Sequence, residues 1–95
     1  MNVEVHPAAQ EELHAARIWY EERSPLSAVG FAHEIAGAIS RIAEAQSRYP
    51  LLEHGTRKVV LQRFPFSIFY RATEAKVVII AIAHQKRRPG YWRWR

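Results

Sequence analysis

The stretch VVIIAIA, residues 77–83, constrains this chain more than any other part of it. It holds seven apolar residues, five of them β-branched, with no polar residue between them. β-Branching disfavours a helix. The lack of alternation describes instead a strand buried on both faces in the middle of its sheet. Each fully buried Val or Ile contributes roughly 1.5 to 3 kcal/mol, so neither face of this strand should be left wet. The chain must therefore supply cover twice, or borrow it from a partner.

Cover for one face is easy to find. Val3 and Val5 alternate with Asn2, Glu4 and His6, which predicts a short N-terminal strand. Pro7 suits the first position of a helix, and Ala9, Leu13, Ala16 and Tyr20 then recur at helical spacing. Ser24-Pro25 ends that helix and caps a second, whose stripe runs through Phe31, Ile35, Ala38, Ile39 and Ile42 and which must end before Tyr49-Pro50. Two helices so closely joined pack as an antiparallel hairpin. Beyond Gly55 the period changes to two: Val59 and Leu61, then Ile68 and Tyr70, mark two strands joined around Pro65, before the apolar strand itself.

The expected fold is α+β, in the order β-α-α-β-β-β. The helix hairpin packs on one face of a three- to four-stranded, mainly antiparallel sheet, and a basic C-terminal tail follows. The 95 residues suffice for a single domain over residues 1–95. Two helices cover only one face, so the tail or a partner must cover the other.

Several chemistries are disfavoured. There is no cysteine, hence no thiolate nucleophile and no disulfide framework. His6, His14, His33, His54 and His84 show no metal-ligand spacing, and Gly30, Gly37, Gly55 and Gly90 form no phosphate-cradling loop. No metal or other cofactor is indicated. The N-terminus lacks the regions of a secretion signal, and no apolar run is long enough to span a membrane, so a cytoplasmic, membrane-free protein is expected.

Charge is divided unevenly. Residues 1–53 hold four arginines against eight glutamates, whereas residues 54–95 hold ten Lys or Arg against Glu74 alone. An asymmetry of this kind suggests an acidic or polyanionic partner for the C-terminal half. The tail QKRRPGYWRWR interleaves Lys86, Arg87, Arg88, Arg93 and Arg95 with Tyr91, Trp92 and Trp94. Cations beside aromatic faces are the elements of a single-strand binding surface, although Tyr91 and Trp92 would serve equally to cover the open sheet face. Acid-base cleavage of RNA would need a base, an acid and cations, which His54, Arg57, Lys58, Arg63, Arg71, His84, Arg87 and Tyr91 contain between them.

The segments VEVHPAAQEELHAARIWYEERSP, FAHEIAGAISRIAEAQSRYP, RKVVLQRFPFSIFYRA and VVIIAIAHQKRRPGYWRWR, in this order and spacing, resemble the RelE/ParE superfamily of type II toxin–antitoxin toxins over almost the full chain. The resemblance implies a small growth-inhibiting or plasmid-stabilising toxin. A cognate antitoxin would neutralise it within a hetero-oligomeric complex. RelE-like members cleave mRNA on the ribosome with basic residues and often a C-terminal tyrosine, whereas ParE-like members poison DNA gyrase. Here Ser67 stands where the nuclease group often has arginine, and Val60 where a second lysine is expected. That favours the ParE-like reading, which is non-enzymatic. Lys58, His84, Arg87 and Tyr91 are the residues of the alternative, an endoribonuclease acting on ribosome and mRNA. Target contacts are expected at Lys86, Arg87, Arg88, Tyr91, Trp92 and Arg93. Antitoxin contacts are expected at Val78, Ile80, Ile82, Arg63, Arg71 and Trp92.

Overall fold

A computed structural model describes residues 2–95. Strand β1 is Asn2–Val5, followed by helices α1 (Pro7–Arg23) and α2 (Pro25–Glu44). After two short 3-10 turns come β2 (Arg57–Val60), β3 (Phe66–Ala72) and β4 (Lys76–His84). The strands form one sheet in the order β1-β4-β3-β2. β1 runs parallel to β4, and the other two pairings are antiparallel. The apolar strand β4 is thus central, as its sequence requires.

Local chemistry sets the helix boundaries. His6 precedes Pro7, and its Nδ1 accepts a hydrogen bond from the Ala8 N–H at 3.0 Å, so this histidine is a helix cap. Ser24 caps α2 by accepting from the Ser27 N–H at 3.2 Å, with Pro25 at the first helical position. α2 stops at Glu44, earlier than Pro50 alone demands. The chain continues as a 3-10 turn at Gln46–Arg48, and the Tyr70 hydroxyl donates to the Gln46 carbonyl there.

The helix face of the sheet holds the larger core. Ala9 and Ala16 of α1 and Phe31, Ile35, Ala38 and Ile42 of α2 are buried there against Val59, Ile68, Tyr70, Val77, Ile79 and Ile82. The opposite face carries a second cluster of Ile80, Ala81, Ala83 and Trp92, with Phe69, Val78 and Tyr91 packed at its edge. The chain's own tail therefore supplies the second cover.

One expectation needs correction. Val78, Ile80 and Ile82 share a face only if β4 is regular, and it is not. Phe69 pairs with Ala81 while Tyr70 pairs with Ile79, so Ile80 is an extra, unpaired residue. This bulge reverses the alternation: Val78 and Ile80 face the tail, and Ile82 faces the helices.

Candidate functional site

The tail leaves β4 through a tight turn at His84. The His84 carbonyl accepts from the Arg87 N–H at 2.9 Å, and its Nδ1 accepts from the Lys86 N–H at 3.1 Å. Pro89-Gly90 redirects the chain, with Gly90 at φ 76°, a conformation that glycine adopts without penalty. The last residues then fold back as successive turns, Arg93 N–H bonding the Gly90 carbonyl at 3.0 Å and Arg95 N–H the Trp92 carbonyl at 2.9 Å. The result is a strap rather than a free extension.

Three contacts fix the strap. Trp92 is 5% exposed and lies on Phe69, the ring centroids 4.5 Å apart. Arg71 of β3 donates to the Arg95 carbonyl at 2.6 Å and the Arg93 carbonyl at 3.2 Å. Glu12 of α1 accepts from the Tyr91 hydroxyl at 2.5 Å and pairs with Arg95 at 2.8 Å. Burial raises the Tyr91 pKa above its usual 10.0, and the bond to Glu12 with its negative charge adds to the rise, against the lowering influence of Arg87 and Arg95. Tyr91 is thus held as a neutral hydrogen-bond donor.

Between strap and sheet lies a cleft of about 430 Å³ that Lys58, Ser67, His84, Arg87, Arg88 and Tyr91 help to line. The four residues of the nuclease reading, Lys58, His84, Arg87 and Tyr91, all border it. Among the described residues, Lys58, Lys86, Arg87, Arg88 and Arg93 make no ion pair with a carboxylate. Arg87 instead stacks on Tyr91, its guanidinium 3.9 Å from the ring centroid. No group of three or more His, Asp or Glu among the described residues could hold a metal ion.

A second groove, of about 400 Å³, opens on the helix side between α1 and the ends of β3 and β4. Trp19, Phe66 and Ile82 form much of its wall, with Glu12, His84 and Arg87 at its polar margin. Trp19 is 50% exposed.

The architecture can be set beside known proteins. A model of the ParE toxin of type II toxin–antitoxin systems, parDE, matches residues 3–89. The chain belongs to the ParE toxin family. Among solved structures, a chain of the chromosomal ParDE TA system from P. aeruginosa aligns with a TM-score of 0.77 at 23% identity, covering 88% of this chain and 95% of that one. That likeness shows the shared fold. A search of curated proteins finds no match.

On this ParE-family frame the expected contact residues separate. Lys86, Arg87, Arg88, Tyr91, Trp92 and Arg93 lie together on the strap, the first three exposed and Trp92 buried. Val78, Ile80 and Trp92 share the strap face, but Ile80 is already covered at 3% exposure. Arg71 is engaged with the strap's carbonyls. Arg63 sits apart in the β2–β3 loop, 3.7 Å from Glu34. Glu12 was not anticipated as a site residue. Its position three residues after Ala9 and four before Ala16 places it on the margin of the buried stripe, and that is the signal that marks it.

Proposed function

We propose that this ParE-family chain is the toxin of a type II toxin–antitoxin module, poisoning DNA gyrase until a cognate antitoxin neutralises it. The observation that carries this reading is the family match over residues 3–89. The strap supports it by presenting Lys86, Arg87 and Arg88 as exposed cations on a folded base, a surface suited to docking on a large acidic or nucleoprotein target. The groove beside α1 suits an amphipathic antitoxin segment, apolar toward Trp19 and Phe66 and acidic toward Arg87. Purified toxin should inhibit gyrase-dependent supercoiling or trap cleaved DNA, and co-expressed antitoxin should restore growth. A toxin that does neither at micromolar concentration overturns the gyrase reading.

One observation favours a second reading. Lys58, His84, Arg87 and Tyr91 border the same cleft, as a ribosome-dependent endoribonuclease would require. Tyr91 weighs against it, because a phenol whose pKa is raised and whose hydroxyl donates a hydrogen bond to Glu12 is a poor general base. Primer extension on programmed ribosomes decides: cuts lost in Arg87→Ala would establish the nuclease, and no cuts would leave gyrase.

A further inference from the structure

β1 accompanies β4 only as far as the pair Val5 and Ile79, after which the His6 N–H bonds the Ile79 carbonyl at 2.9 Å and the chain turns into α1. From Ile80 onward, the side of β4 that faced β1 has no strand beside it among the described residues. A buried edge of this kind leaves backbone groups that need partners. In a parallel ladder, one residue of the neighbouring strand donates its N–H to the carbonyl of residue i−1 and accepts, at its own carbonyl, the N–H of residue i+1.

The same two bonds are made here by side chains. Arg95 Nη1 donates to the Ile80 carbonyl at 3.2 Å, and Glu12 Oε1 accepts from the Ile82 N–H at 3.0 Å. The two side chains are joined to each other through both carboxylate oxygens, at 2.8 and 3.2 Å. Both are mostly enclosed, with 19% of the Arg95 and 16% of the Glu12 side chain exposed. The carboxylate also holds the Tyr91 hydroxyl. Its partners thus come from the central strand and from two points of the strap. They lie next to the bulge at Ile80, where the regular ladder to β3 is already broken.

We propose that Glu12 is the positioning residue of the C-terminal strap: paired with Arg95, it replaces the missing strand residue opposite Ala81 and so sets where Tyr91 to Arg95 lie on the sheet. A surface ion pair of ordinary kind contributes little, because both ions remain solvated. This pair differs in that each member also satisfies a backbone group of β4, so losing one member strands the other and a ladder group together. The strap reaches its place because the Arg95 side chain, with Glu12, completes the sheet.

The test uses the full chain, purified from its complex with antitoxin, and amide hydrogen exchange resolved by segment. Glu12→Gln keeps one acceptor oxygen, enough for the Ile82 N–H or the Tyr91 hydroxyl but not both, and removes the charge that holds Arg95. Exchange across residues 91–95 and at Ile82 should rise at least about tenfold, the scale of one lost charge-assisted hydrogen bond, with α2 unchanged. Arg95→Ala, which leaves Glu12 and the fold of α1 intact, should release the same segment. The double variant should add little to either single change. Unchanged exchange in the strap, or a uniform rise across strap and α2, overturns the proposal.

That the strap's position matters for toxicity rests on the gyrase reading above, and the two fail separately. Loss of supercoiling inhibition in step with strap release supports both. Strap release with inhibition intact leaves Glu12 as the positioning residue and removes the strap from the target contact.

Discussion

The two faces of the sheet are covered by different means. On the helix side, two long amphipathic helices place Ala9, Ala16, Phe31, Ile35, Ala38 and Ile42 against three strands, and Tyr20, Phe31, Phe64 and Phe66 form a continuous aromatic cluster. On the other side, a few residues suffice: Trp92 supplies apolar contact, while Arg71 and Glu12 hold the strap through carbonyls and an ion pair. The helix face is built by area and the strap face by a small number of directed bonds. Area is lost only when the whole element leaves, whereas directed bonds can be released locally. The difference separates a stability core from a surface able to move.

The largest expected effect breaks the helix side. Phe31 is fully buried and stacks with Tyr20 and Phe66 at centroid distances of 5.2 Å. Phe31→Ala should lower unfolding stability by about 3 to 5 kcal/mol in urea titration, with loss of the whole fold rather than one part. Trp92→Ala removes a ring of similar standing from the strap side and should cost less, about 2 kcal/mol. Its cost is capped because the strap can detach before the helix-side core opens, so segment-resolved exchange should rise in residues 88–95 and at Phe69 first. Equal losses from the two substitutions would show that both faces unfold as one unit. Gly90→Ala should follow at about 1 kcal/mol, since φ of 76° is strained for a residue with a side chain. That loss should also appear as strap release.

Much of this contrast is legible in the sequence. Periods of 3.6 and 2 mark the elements, and the unbroken VVIIAIA run fixes β4 as the central strand. The bulge at Ile80 is not legible, because a run with no polar residue carries no marker of which side chain points where. Tertiary pairing alone reveals it. The neighbourhood of Lys58, His84, Arg87 and Tyr91 depends on hairpin register, which brings Lys58 opposite Phe69 and so beneath the strap. Glu12 and Arg95 lie 83 residues apart; the place of Glu12 beside the buried stripe of α1 hints at a role, but nothing local joins it to Arg95.

Alkaline titration sharpens the comparison at smaller scale. Burial alone raises the pKa of Tyr20 on the helix side, whereas Tyr91 on the strap side is raised by burial first and then by Glu12. A raised phenol holds its proton more tightly folded than unfolded. The associated stability is therefore fully present below the ordinary value of 10.0 and is lost as pH climbs from there toward the folded pKa. Stability should fall above pH 10, and Tyr91→Phe should make that fall shallower; an unchanged slope in denaturant midpoints would mean that the folded chain holds the Tyr91 proton no more tightly than the unfolded one.

The smallest effect on stability is expected two residues away from Trp92. Trp94 is 85% exposed, and among the described residues the one cation its ring meets is the Arg93 guanidinium, 5.1 Å from the centroid. Its removal exposes no core and strands no buried polar group, so Trp94→Ala should change stability by less than about 0.5 kcal/mol. An exposed indole beside an arginine that has no carboxylate partner among the described residues is nonetheless the kind of anchor that dominates binding interfaces. On the gyrase reading, Trp94→Ala should weaken supercoiling inhibition by tenfold or more, on the order of a single hot-spot aromatic. The two tryptophans then divide by face. Trp92→Ala acts through the strap's position and should be accompanied by faster exchange, while Trp94→Ala should leave exchange untouched. If Trp94→Ala lowered inhibition and loosened the strap together, the outer surface of the strap would be a structural element like its inner one, and target contact would have to be sought at Lys86, Arg87 and Arg88 alone.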